Sequence, residues 1–285
     1  FLNKKHTELR FGLGLVSHLP AYDALTIIRN TLCFPKLMYF LRTSSSVDIT
    51  FLEAFDIALR KALSSICNVD ISDRGWSQAQ LPVRFGGLGL LSVVQLAPFA
   101  YKCSAAATLD LQSALLRHCS NIPDSPPPNQ AILSQDQSLT DSYKHRLQEL
   151  LSSSPNEATS ARLLAVSSDA SCGWLRSWPN TSVGTRLDDE TVRIAIGFTL
   201  GLTIQNRYLC KCGTEADVLG YHGLVCRLGG GRQLRHSALN DYVCRLFSKA
   251  SIPFLKEPSG VSAEDGKRPD GCTLVPWIAG KCLSW

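Results

Sequence analysis

The sequence predicts an α+β protein: a mostly helical N-terminal part, then a small metal-stabilised α+β part that ends in a partial β-sheet. Three observations carry that expectation. Apolar residues recur at helical spacing from about Leu19 to Ser65. Four Cys and His residues stand at metal-ligand spacing between Cys210 and Cys226. From Ile252 to Trp285 the chain switches to short strand-like runs broken by Pro and Gly. With 285 residues and 45% hydrophobic content, the chain can bury substantial cores, and its length suggests about two domains.

Residues 1–120 read as the helical region. Ala24, Leu25, Ile28 and Leu32 form one apolar stripe, and Phe51, Leu52, Phe55, Ala58, Leu59, Ala62 and Leu63 form another. Pro35 ends the first helix or opens the next, and Thr43 to Ser46 make a loop before an N-cap at Asp48 or Thr50. Gly86, Gly87 and Gly89 imply a tight turn or a close backbone approach. The Ala- and Leu-rich stretch from Leu90 to Leu116 predicts one or two helices.

Residues 121–170 read as a Pro/Ser-rich linker, in which Pro126 to Pro128 favour extended polyproline and Ser142 to Leu151 form a short helix. Residues 171–231 hold a helix that opens at Leu187-Asp188-Asp189-Glu190, its acids meeting the positive end of the helix dipole, and then the Cys/His cluster. Residues 232–285 begin with helical periodicity through Leu234, Leu239, Val243 and Phe247. Strands broken near Pro258, Asp265-Gly266 and Ala279-Gly280 follow.

A net charge of +5 and a pI near 8.6 suit nucleic acid or another acidic surface, and many enzymes carry as much. Eleven cysteines without a signal peptide point to a reduced, intracellular compartment. No uncharged apolar run approaches the ~20 residues that span a bilayer, so no membrane partner is expected. The single methionine is Met38, so the chain, starting at Phe1, reads as a fragment or a processed product. There is no nucleotide-binding loop, nucleophile elbow or paired-histidine helix motif.

Cys210-x-Cys212, then His222, then Cys226 offers a Cys₃His tetrahedral set, and Zn²⁺ holds such ligands in closed structural sites. The competing reading is two buried thiols beside an ordinary loop histidine; within the metal reading, Cys244 and His236 are spare ligand candidates. On the following helix Arg232, Arg235 and His236 share a face that could clamp phosphates or could simply be solvated. In Lys267-Arg268-Pro269-Asp270, Asp270 opens a returning strand, where its carboxylate could bind Mg²⁺ while Lys267 and Arg268 hold a nucleic-acid strand. Glu257 is the candidate helper acid. One acid cannot make a hydrolytic metal site, so Mg²⁺ is expected only if the site is completed beyond Trp285. An ordinary charged hairpin is the alternative.

These segments, in this order, resemble the C-terminal part of reverse transcriptases (RNA-directed DNA polymerases) of non-LTR retrotransposons that carry a restriction-like endonuclease. Phe34-Pro-Lys-Leu-Met-Tyr-Phe-Leu-Arg-Thr and Trp76-Ser-Gln-Ala-Gln-Leu-Pro-Val-Arg-Phe-Gly-Gly-Leu-Gly resemble the helical thumb. The Cys/His set, Arg235-His236, Asn240-Asp241 and Lys267-Arg-Pro-Asp-Gly are similar to the zinc knuckle and endonuclease. The resemblance implies a thumb-like grip on template–primer and DNA and RNA as partners, with a nuclear setting for the parent element. It also implies a PD-(D/E)xK site in which Asp270 supplies the first acid. It leaves the polymerase palm and the second acid outside this chain. Two other readings stay open: a non-enzymatic zinc-stabilised nucleic-acid-binding module, and a decayed element copy. The oligomeric state is not specified.

Overall fold

A computed structural model describes residues 2–44, 47–116, 135–169, 171–259 and 268–285. Its contacts divide the chain into two compact units, Phe1–Ile204 and Gln205–Trp285.

The first unit is helical. It runs through α1 (Leu2–Val16), α2 (Ala21–Ile27), a π-helical turn (Ile28–Leu32), α3 (Pro35–Thr43), α4 (Ile49–Cys67), α5 (Asp73–Ala79) and α6 (Val93–Leu116). It continues with α7 (Gln135–Ser152), α8 (Glu157–Val166) and α9 (Asp189–Leu200). Helix α4 is its axis, packing on α1, α2, α6 and α9. The reason is visible in its sequence: Phe51, Leu52, Phe55, Leu59, Leu63 and Cys67 fall on one stripe, and all are buried. Asp48 caps its start by accepting from the Thr50 N–H at 2.9 Å, and Asn68 ends it in the left-handed conformation.

One polar residue sits inside that apolar stripe. Asp56 accepts from Ser92 Oγ at 2.5 Å and from the Val93 N–H at 3.1 Å, so a buried carboxylate on α4 satisfies the start of α6. Helix α6 then runs unbroken through Pro98, resolving the Leu90–Leu116 stretch into one helix. The glycine turn is a close approach: a Cβ on Gly87 would lie 2.0 Å from the Leu81 carbonyl oxygen.

The stretch expected to be a linker is partly helical, because α7 begins at Gln135 and α8 at Glu157. Pro126 to Pro128 lie outside the described residues. The acids of the Leu187 segment do open a helix: Asp188 accepts from the Thr191 N–H at 2.7 Å. That helix, α9, packs on α2, α4, α5 and α8. It therefore belongs to the first unit, whereas the sequence reading grouped it with the knuckle.

The second unit is small and mixed. A hairpin of β1 (Tyr208–Leu209) and β2 (Glu215–Ala216) leads to α10 (Tyr221–Val225) and α11 (Gly231–Lys249). An antiparallel sheet follows, β3 (Phe254–Lys256), β4 (Gly271–Ile278) and β5 (Lys281–Ser284), in the order β3-β4-β5. Helix α11 covers the sheet through Phe247, whose ring stacks on Trp285 at 4.9 Å and meets Phe254 at 6.2 Å. The chain is thus mostly helical with a small antiparallel sheet near its C-terminus, the α+β class expected. No described helix is long and apolar enough to cross a membrane.

Candidate metal centre and the Asp270 turn

The hairpin tip places the first two ligands. The Gly213 N–H donates to Cys210 O at 2.9 Å, and the Cys210 N–H donates to Thr214 O at 3.0 Å. Gly213 takes φ +83, a left-handed turn open to glycine at little cost. Helix α10 places the other two: His222 lies in its first turn and Cys226 just past its end, with the Cys226 N–H on His222 O at 2.8 Å.

The four ligating atoms lie within 4.8 Å of one another. Cys210 Sγ is 3.7 Å from Cys226 Sγ, and Cys212 Sγ is 3.4 Å from His222 Nε2. A tetrahedral ion about 2.3 Å from sulfur and about 2.0 Å from nitrogen requires separations of about 3.8 and 3.5 Å. The donor set therefore fits a metal ion. Among the described residues it is the one group of three or more Cys, His, Asp or Glu side chains close enough to share one. The spare candidates lie elsewhere. Cys244 is buried with its Sγ 3.8 Å from Asn240 Oδ1, and His236 faces Asp270.

The thiols respond to this crowding. Cys212 is pulled down to about 6, foremost by its hydrogen bonds with Thr214. Cys210 moves upward: the Cys212 amide favours its thiolate, but burial and the facing Cys212 and Cys226 sulfurs outweigh it.

Asp217, which the sequence reading passed over, builds the loop that presents His222. Its carboxylate accepts from the Leu219, Tyr221 and His222 N–H groups at 2.9, 3.1 and 2.7 Å. Burial opposes ionisation there, and the backbone donors overcome it, so its pKa falls. The signal was present as Asp-x-x-Gly-x-His, an acid ahead of a short helix.

Asp270 stands at the start of β4, and its backbone is held from three sides. Its N–H donates to Trp285 O at 2.7 Å, and its carbonyl accepts from the Glu257 N–H at 3.0 Å and from Asn240 Nδ2 at 2.9 Å. Buried Asn240 also accepts from Trp285 Nε1 at 3.0 Å, so one α11 side chain fixes both ends of the β4–β5 hairpin. Gly271 is obligatory in this packing, since a Cβ there would lie 2.0 Å from the Trp285 ring.

The Asp270 carboxylate meets His236, with Oδ1 3.3 Å from Nε2. Glu257 reaches Asp270 through its backbone, takes φ +49 and has an exposed side chain. Arg268 is exposed, and Lys267 lies outside the described residues.

The three basic candidates on α11 separate. Arg235 donates to Leu224 O at 2.6 Å, tying α11 to α10. Arg232 and His236 line a cavity that also takes in Arg227 and Gln233. Arg227 was missed because it sits in the turn directly after Cys226, where no periodicity marks it.

Neither protein-family models nor curated proteins match the chain.

Proposed function

We propose that the chain is part of a non-LTR retrotransposon reverse transcriptase. Its helical unit acts as a thumb-like grip on template–primer, and its second unit is a zinc-stabilised module that engages DNA and leads into a restriction-like endonuclease. The observation that carries this reading is the convergence of Cys210, Cys212, His222 and Cys226 directly ahead of the helix that anchors the Asp270 turn.

Three thiols and one imidazole, with the Cys210–Cys226 and Cys212–His222 pairs at tetrahedral separations, select zinc over harder ions. With no open position, the role is structural: it pins the hairpin tip to α10. In the endonuclease reading, the Asp270 carboxylate is the first Mg²⁺ ligand, Asn240 and Gly271 fix its place, and the second acid lies beyond this chain.

Metal analysis of the purified chain should find one zinc, lost on Cys212→Ser. Mg²⁺-dependent nicking of duplex DNA, by this chain and by one extended past Trp285, tests the rest. The extended protein should nick, and Asp270→Ala should abolish it; equal nicking by both would sink the role of Asp270.

A second reading, a non-enzymatic nucleic-acid-binding module, is favoured by the pairing of Asp270 with His236 rather than with another acid. DNA binding without nicking by the extended protein would select it.

A further inference from the structure

We infer that the cavity between the metal centre and α11 is a phosphate pocket that takes a backbone phosphate of a nucleic-acid strand. Cys226, Arg227, Gly229, Arg232, Gln233 and His236 line it, and its volume is about 520 Å³. That is room for a phosphodiester with part of its sugar.

Charge argues for an oxyanion. Arg227 and Arg232 are exposed, and among the described residues neither has a carboxylate within ion-pair distance. Three other cations of this unit are already engaged: Lys256 on Asp241 at 2.6 Å, Arg207 on Glu215 at 3.5 Å and Arg235 on the Leu224 carbonyl. Two unpaired guanidiniums opening on one cavity match the fork geometry that phosphate oxygens accept. Helix α11 begins at the same wall with Gly230 as N-cap and no side-chain cap, so its first-turn dipole adds to the attraction.

Two neighbours tie the pocket to the rest of the unit. Cys226 is both a metal ligand and part of the lining, so a filled metal centre fixes the turn that carries Arg227. His236 lines the pocket while its Nε2 faces Asp270 Oδ1 at 3.3 Å, which places a bound phosphate one side chain away from that carboxylate. The inference rests on the nucleic-acid reading for the source of the phosphate; the pocket itself is tested apart from it.

The zinc-loaded chain, labelled with ¹⁵N-glycine, is titrated with inorganic phosphate. Saturable shifts at the Gly229, Gly230 and Gly231 amides are expected. They should vanish in Arg227→Ala/Arg232→Ala, weaken in Arg227→Lys and persist in Lys249→Ala. Zinc content of the variants, measured in parallel, certifies that the centre is intact. Absence of saturable shifts, or equal shifts in the double variant, overturns the pocket.

Fluorescence anisotropy with a labelled DNA duplex supplies the second arm. The double variant should lose about tenfold in affinity, and its log–log salt slope should shrink by about 0.9 per phosphate contact removed. Glycine shifts together with unchanged duplex binding would assign the site to free phosphate and overturn the backbone assignment. If the wild type binds no nucleic acid at all, the reading under Proposed function fails, while the glycine shifts still decide the pocket.

Discussion

Cysteine behaves in opposite ways in the two units. In the helical unit, Cys33 and Cys67 are buried among hydrocarbon, and burial pushes both thiols up to about 12. They are small apolar fillers. In the second unit Cys212, facing polar donors, is drawn down to about 6. The same contrast runs through the packing. The contiguous buried apolar core spans Leu9 to Leu202 and so lies wholly in the first unit. Among the described residues of the second unit, the buried apolar side chains include only the small Ala216, Cys226, Cys244 and Pro258, while Leu239, Leu246, Val275 and Ile278 are exposed. One unit is held by apolar area removed from water; the other lacks that area and instead brings four donor side chains together at a candidate metal site.

The largest effect should come from removing the ion. Chelation, or Cys212→Ser, should unfold the second unit, with a loss on the order of 10 kcal/mol by analogy with structural zinc sites, and leave the helical unit folded. Calorimetry should then show one transition surviving. Alkylation of the chelated chain should label the cysteines of the unfolded second unit and spare buried Cys33 and Cys67. Loss of both transitions together would break the comparison.

Leu59→Ala, in the middle of the α4 stripe, should cost about 2–5 kcal/mol by urea denaturation and leave zinc content unchanged. Asp217→Ala should weaken metal affinity about 10–100-fold in competition with a chromogenic chelator, because His222 loses its positioning loop, with the helical unit unaffected.

The smallest effect concerns Asp56. Burial raises its pKa, with Ser92 and Val93 acting against the rise. The folded chain therefore holds that proton more tightly than the unfolded chain, and ionisation destabilises the fold. Its contribution is most favourable below the ordinary carboxylate pKa of about 4 and declines as pH rises through the raised folded value. Urea midpoints of Asp56→Asn across that window should fall less steeply with pH than those of the wild type.

How legible all this was in the sequence depends on the range of the interaction. The α4 stripe, its Asp48 cap and the acids opening α9 are local, and local periodicity and capping chemistry announced them. The four candidate metal ligands were legible for the same reason, since they fall within seventeen consecutive residues, Cys210 to Cys226. Asn240 was not: its partner Asp270 is thirty positions away, and nothing in an amphipathic helix marks one asparagine as a clamp. Arg235 misled because i, i+3 spacing puts it on the face of Arg232 but does not tell which carbonyl will capture it. The boundary near residue 204 was hidden because α9 and the knuckle are close in sequence, and only packing separates them.

The seat of Trp285 has one more consequence. Its indole donates to Asn240, stacks on Phe247 and covers Gly271, beside the carboxylate of interest. Trp178 and Trp277 are 71% and 49% exposed, open to a collisional quencher that Trp285 is better shielded from. The emission that survives quenching thus contains an optical gauge of the hairpin: light from Trp285 should shift to the red when Asn240 lets go, before any activity is measured.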